Sequence, residues 1–85
     1  EIENRKIILN LIETDKEIKI IIKDNGGGIP EEIIDRVSEP YFTTKFQSEG
    51  TGLGLYMSKM IIETSFKGKL LMENIEQGLK TTIIL

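Results

Sequence analysis

Ile18-Lys19-Ile20-Ile21-Ile22-Lys23-Asp24-Asn25-Gly26-Gly27-Gly28-Ile29-Pro30 changes character twice along its length. Ile18, Ile20 and Ile22 alternate with Lys19 and Lys23, the period of a strand with one face on a core, and Ile21 alone breaks the pattern. The glycine cluster Gly26-Gly27-Gly28 then ends the strand, and Pro30 followed by Glu31 and Glu32 supplies the start signals of a helix. Glycines at such a joint let the backbone take φ > 0 and come close to a ligand, while Asp24 presents a carboxylate acceptor at the strand end. Taken by itself, an Asp-x-Gly-x-Gly run is more often a glycine-rich turn capped by an Asx side chain.

Upstream, residues 6–12 form a second β-branched run, joined to 17–23 by the polar Glu13-Thr14-Asp15-Lys16, so the two read as an antiparallel hairpin. Downstream, Ile33, Ile34 and Val37 fall at helical spacing. From 39 to 52 periodicity disappears, and the stretch reads as a mobile loop, of a length that is usually functional or disordered. Leu53, Met57, Met60, Ile61 and Thr64 then recur at three and four, the buried stripe of a second helix stopped by Gly68. Residues 69–74 and 80–85 complete two more strands around a turn at Glu76-Gln77-Gly78. The order β-β-α-loop-α-β-β predicts an α/β (α+β) two-layer sandwich: a mostly antiparallel mixed sheet with helices on one face.

Two further clusters carry chemistry. Gly50-Thr51-Gly52-Leu53-Gly54-Leu55 runs into the second helix, where exposed N–H groups and a positive dipole end suit an anion, although a tight loop-to-helix joint would look the same. Pro40-Tyr41-Phe42-Thr43-Thr44-Lys45 combines an aromatic anchor with two hydroxyls and a cation, groups that suit phosphate oxygens; an ordinary solvated loop is its plainer reading. Each is weak alone. All three occur in order around one loop and two helices, as a phosphate-binding lid requires.

With these three motifs the sequence resembles the catalytic ATP-binding domain of sensor histidine kinases, in the superfamily shared with gyrase, the Hsp90 chaperones and mismatch-repair ATPases. Asp24 to Gly28 match the first glycine box, Phe42 to Lys45 the phenylalanine box and Gly50 to Leu55 the second glycine box. The resemblance implies an incomplete Bergerat-type ATP-binding fold. It also implies that Asp24 accepts a hydrogen bond from the adenine amino group, with Gly26 and Gly28 shaping the base pocket. Ile29 and Leu55 would be apolar walls, and Phe42, Thr43, Thr44, Lys45, Gly50, Thr51, Gly52, Leu53 and Gly54 would serve the triphosphate and its lid. No catalytic residue and no metal ligand is assigned in this chain. The implied cofactors are ATP and Mg²⁺ in the intact parent. The implied partners are ATP or ADP, a phosphoacceptor histidine domain and a response regulator.

The family's Mg²⁺-holding asparagine sits on a helix upstream of the first glycine box. Here the residues before Asp24 read as strands, and neither Asn4 nor Asn10 fits that motif. Residues 1–85 are therefore expected to be the C-terminal portion of the domain, with the asparagine-box helix missing, the metal ligand absent and the fragment inactive alone. Ser38 stands where the family usually has Phe, which is expected to loosen the lid's anchor. Apolar surface that the missing helix would cover predicts self-association, as a homodimer through that surface. Two rival functions remain: a non-catalytic interaction module that no longer binds nucleotide, and a serine kinase of the anti-sigma type or another superfamily ATPase.

Composition narrows the classes. The chain has 85 residues, 39% hydrophobic and 29% charged, enough for one small folded domain. Eleven Lys and Arg are scattered among fourteen acids for a net charge of −3, which argues against nucleic-acid binding. There is no Cys and no His, so disulfides, the usual metal ligands and phosphorylation of a histidine within these residues are excluded. Apolar runs such as Ile20-Ile21-Ile22 are far too short to span a bilayer. The expected location is the cytoplasm, with the parent free to be membrane-anchored.

Overall fold

The computed structural model describes residues 4–40 and 53–85. Four strands, β1 (Ile7–Glu13), β2 (Ile18–Asp24), β3 (Lys69–Ile75) and β4 (Gly78–Ile84), form one sheet in the order β1-β2-β4-β3. Among the described residues every pairing is antiparallel. The strands lie within about two residues of the spans expected from β-branched patterning. The first hairpin turns where the polar link predicts, with the Thr14 N–H donating to the Glu17 carbonyl at 2.9 Å.

The register explains why the isoleucines alternate. Rows Leu9–Ile22–Thr81–Met72 and Leu11–Ile20–Ile83–Leu70 run across one face of the sheet. The other face carries Ile8–Lys23–Lys80–Glu73 and Ile12–Lys19–Ile84–Lys69, with Lys80 and Glu73 paired at 3.7 Å. Between those rows lies Asn10–Ile21–Thr82–Leu71, so Ile21, the residue that breaks the alternation, belongs to the more polar face. A helix lies on one face, α1 (Gly54–Met60), continued by a π turn at Ile61–Ser65 that contacts β3.

Two helical expectations change. No regular helix follows Pro30. Its carbonyl accepts the N–H groups of Ile33 (3.0 Å) and Ile34 (3.1 Å), and a 3₁₀ turn follows at Ile34–Arg36. Between Pro30 and Pro40 there is too little chain to repay helix nucleation, and Ile33, Ile34 and Val37 are poor helix formers, though all three are half-buried as their spacing predicts. In α1 the stripe is rotated: Leu53, Tyr56, Lys59 and Ile62 lean inward, while Met57, Met60 and Ile61 are exposed. Apolar residues surround this helix on nearly every side, so spacing alone does not choose the face that is covered.

The core is small. Among the described residues the one buried large hydrophobic is Leu70. The edge strand β1 leaves Ile7, Leu9 and Leu11 about two-thirds or more exposed (76%, 66% and 69%). Close backbone approach therefore matters. A Cβ on Gly78 would lie 1.7 Å from the Asp24 carbonyl oxygen, and one on Gly68 would lie 1.9 Å from that of Ile84. Gly68 is thus required by packing, and the left-handed residue that ends the helix is Lys67 (φ 59°). The Gly68 N–H reaches back to the Ile62 carbonyl at 2.9 Å.

Gly78→Ala is expected to destabilise the chain by about 3 kcal/mol or more, because the obstacle is backbone and cannot move aside as a side chain can. Gly54→Ala meets nothing within 4 Å and should be neutral or stabilising by up to about 1 kcal/mol. Urea unfolding of both variants beside wild type checks the contrast.

Candidate functional site

Asp24 closes β2, and its carboxylate bends back over the turn that follows. Oδ1 accepts the Gly26 N–H at 2.9 Å, an Asx turn, and also the Leu79 N–H of β4 at 3.3 Å. Among the described residues Oδ2 accepts no hydrogen bond. One oxygen fixes the carboxylate and the other is left as an acceptor.

The turn itself is held from three directions. Gly27 (φ 97°) and Gly28 (φ 77°) take the left-handed conformation expected of them. The Gly27 N–H donates to the Gln77 carbonyl at 3.0 Å. The Asn25 carboxamide accepts the Lys6 N–H at 2.9 Å and donates to the Asn4 carbonyl, tying in the segment before β1. Beyond the glycines, the Asn74 carboxamide accepts the Ile29 N–H at 2.8 Å and donates to the Ile29 carbonyl at 2.6 Å and to Glu31 Oε1 at 3.0 Å.

These contacts frame an open depression of about 630 Å³ lined by Arg5, Lys6, Ile7, Asp24, Asn25, Gly26, Gly28 and Leu79. Asp24, Gly26 and Gly28 are thus brought together as expected. Ile29 is half-buried beside them and does not line the depression. Leu53, Gly54 and Leu55 are at the start of α1 and do not line it either. Of these, Leu53 receives the Met57 N–H on its carbonyl (2.9 Å), and Gly54 receives the Ser58 hydroxyl (2.9 Å). Phe42, Thr43, Thr44, Lys45, Gly50, Thr51 and Gly52 lie outside the described residues.

Sequence reading passed over Asn74, Gln77 and Leu79, whose backbone or side-chain groups hold the turn and the carboxylate. A polar Asn in an otherwise β-rich run was the one available signal. The depression offers a carboxylate acceptor beside close-lying backbone. Among the described residues no group of three or more His, Cys, Asp or Glu side chains converges to hold a divalent cation.

Residues 2–85 match the family described as "Histidine kinase-, DNA gyrase B-, and HSP90-like ATPase". Sporulation kinase D of Bacillus subtilis (strain 168) is 36% identical over 84 residues, which cover 98% of this chain and 16% of that protein. Sporulation kinase A of the same organism is 43% identical over 53 residues, 62% of this chain and 8% of the relative. The catalytic domain of histidine kinase ThkA, in a nucleotide-free form, superimposes with a TM-score of 0.85 at 35% identity, over 98% of this chain and 54% of that one. ThkA in complex with the response regulator protein TrrA matches with a TM-score of 0.76 at 30% identity, over 98% of this chain and 22% of that one. The chain spans about half of the ThkA catalytic domain and a small fraction of the curated relatives.

Asp24→Ala removes the acceptor of two backbone N–H groups and should lower stability by about 1–2 kcal/mol. Asp24→Asn keeps an Oδ1 acceptor in the same place and should cost less than about 1 kcal/mol. Comparing their thermal and urea midpoints tests this division of the carboxylate.

Proposed function

Because the chain belongs to the histidine kinase-, DNA gyrase B-, and HSP90-like ATPase family, we propose that residues 1–85 are the C-terminal portion of the cytoplasmic ATP-binding domain of a two-component sensor kinase. The observation that carries the reading is Asp24, with one carboxylate oxygen pinned by Gly26 and Leu79 and the other left as an acceptor beside Gly26 and Gly28. A free carboxylate oxygen accepts the exocyclic amine of adenine and disfavours guanine, which presents a carbonyl there.

The parent protein transfers the γ-phosphoryl of ATP to a histidine: an imidazole nitrogen attacks phosphorus, the bond to the β-phosphate oxygen breaks and ADP leaves. This chain has no His, so the acceptor nitrogen comes from elsewhere. Its own contribution is positioning, in that Asp24 selects the base and the glycine turn sets the distance to it. Lys45 and Gly50 to Leu55 are assigned to the triphosphate, and Phe42 to Thr44 to its lid, through the family resemblance. The Mg²⁺ ligand is assigned to a helix outside these residues. A response regulator would receive the phosphoryl group, as suits a relative of ThkA, whose complex with TrrA is known.

Calorimetric titration with ADP, with and without Mg²⁺, tests the reading on this chain and on one extended upstream through the asparagine helix. Binding is expected in the extended form, and Asp24→Asn there should weaken it by about 10- to 100-fold, the worth of a hydrogen bond to a charged group. Affinity unchanged by Asp24→Asn would sink the assignment of Asp24.

The second reading, a self-associating module, has its own support in the exposed Ile7, Leu9 and Leu11 of β1. Their strand is an edge without proline, and its last residue, Glu13, is its sole charge, so it lacks the devices that keep edges apart. Light scattering across a concentration series should show association that Leu9→Lys reverses. A monomer at every concentration counts against it.

A further inference from the structure

We infer that Asn74 is a positioning residue for the candidate base site, acting through the backbone of Ile29. The inference rests on the nucleotide reading above. Asn74 is on β3, half-buried, and 45 positions from the residue it holds. Its carboxamide both accepts from the Ile29 N–H (2.8 Å) and donates to the Ile29 carbonyl (2.6 Å), as a neighbouring strand would. The donation to Glu31 Oε1 extends the hold past Pro30.

The glycine turn is seated directly on this side chain. A Cβ at Gly28 would lie 2.5 Å from Asn74 Oδ1 and 2.9 Å from the Gly78 carbonyl oxygen. Gly28 therefore has no side chain because Asn74 occupies that space. Asn74 itself does not line the depression beside Asp24. It fixes how far the Gly28 wall stands from Asp24 without touching what binds between them.

Removing the carboxamide leaves two half-buried backbone groups of Ile29 without their partners, so the turn must shift or open to water. Asn74→Ala should speed amide hydrogen exchange of Ile29 in the nucleotide-free chain by about tenfold or more relative to Ile83 of β4. In the extended, ADP-binding form it should raise the Kd for ADP by about tenfold or more. Leu70→Ala, which removes a buried side chain away from the turn, is the comparison for a merely structural loss. It should lower the unfolding midpoint while leaving the Kd within about twofold, measured where both variants are fully folded.

Equal Kd values for wild type and Asn74→Ala, equal loss in both variants, or Ile29 exchange that does not change would each overturn the inference. The exchange arm needs no nucleotide. If wild type fails to bind ADP while Ile29 is selectively deprotected, the nucleotide reading falls and the hold of Asn74 on the turn stands.

Discussion

The approach of β4 to the end of β2 at Gly78 governs the arrangement of the sheet and of the site. There the Asp24 carbonyl occupies the space where any other residue at 78 would carry a Cβ. From this approach follow the reach of the Leu79 N–H to the Asp24 carboxylate and the seat of Gly27 on the Gln77 carbonyl. It also requires the turn between β3 and β4 to be tight. Ile75 pairs directly with Gly78, and Gln77, not a glycine, takes the left-handed conformation at φ 62°. A non-glycine residue in that region costs on the order of 1 kcal/mol, which the surrounding hydrogen bonds must offset.

This dependence on backbone contacts matches the thinness of the core. With Leu70 and Thr82 the only buried residues besides Gly78, side-chain burial among the described residues gives the sheet limited support. Hydrogen-bonded pairing along three antiparallel ladders, closed at opposite corners by Gly78 and Gly68, carries correspondingly more. The candidate site is at one of those corners, where main-chain groups are densely paired. Its shape is thus set by elements that already hold the sheet.

What was legible in the sequence was whatever depends on neighbours in the chain. The alternation of Ile18, Ile20 and Ile22 located β2, the Gly26–Gly28 run located the left-handed turn, and Asp24 before it marked the acceptor. The family resemblance carried by the three motifs agrees with the matched family and with the fold. What was not legible depends on residues far apart in sequence. Asn74 reads as one polar residue in a strand until the register places it beneath Gly28. The covered face of α1 and the π turn could not be chosen among Leu53, Tyr56, Met57, Met60, Ile61 and Ile62, because apolar residues fall on nearly every side. The stretch after Pro30 carried helix start signals, but nine residues between two prolines favour turns over a nucleated helix.

The site also specifies the register that builds it. Asn74 points to the glycine turn only while β3 pairs with β4 so that Asn74 is opposite Leu79 and Ile75 opposite Gly78. A slip of β3 by one residue would put the Asn74 side chain on the other face of the sheet, away from the glycine turn. Leu70 and Met72 would at the same time leave the face on which Ile20 and Ile22 lie. The polar bonds that shape the site and the apolar rows of the sheet therefore select the same pairing. The candidate site and the fold coincide here because both are consequences of one backbone alignment.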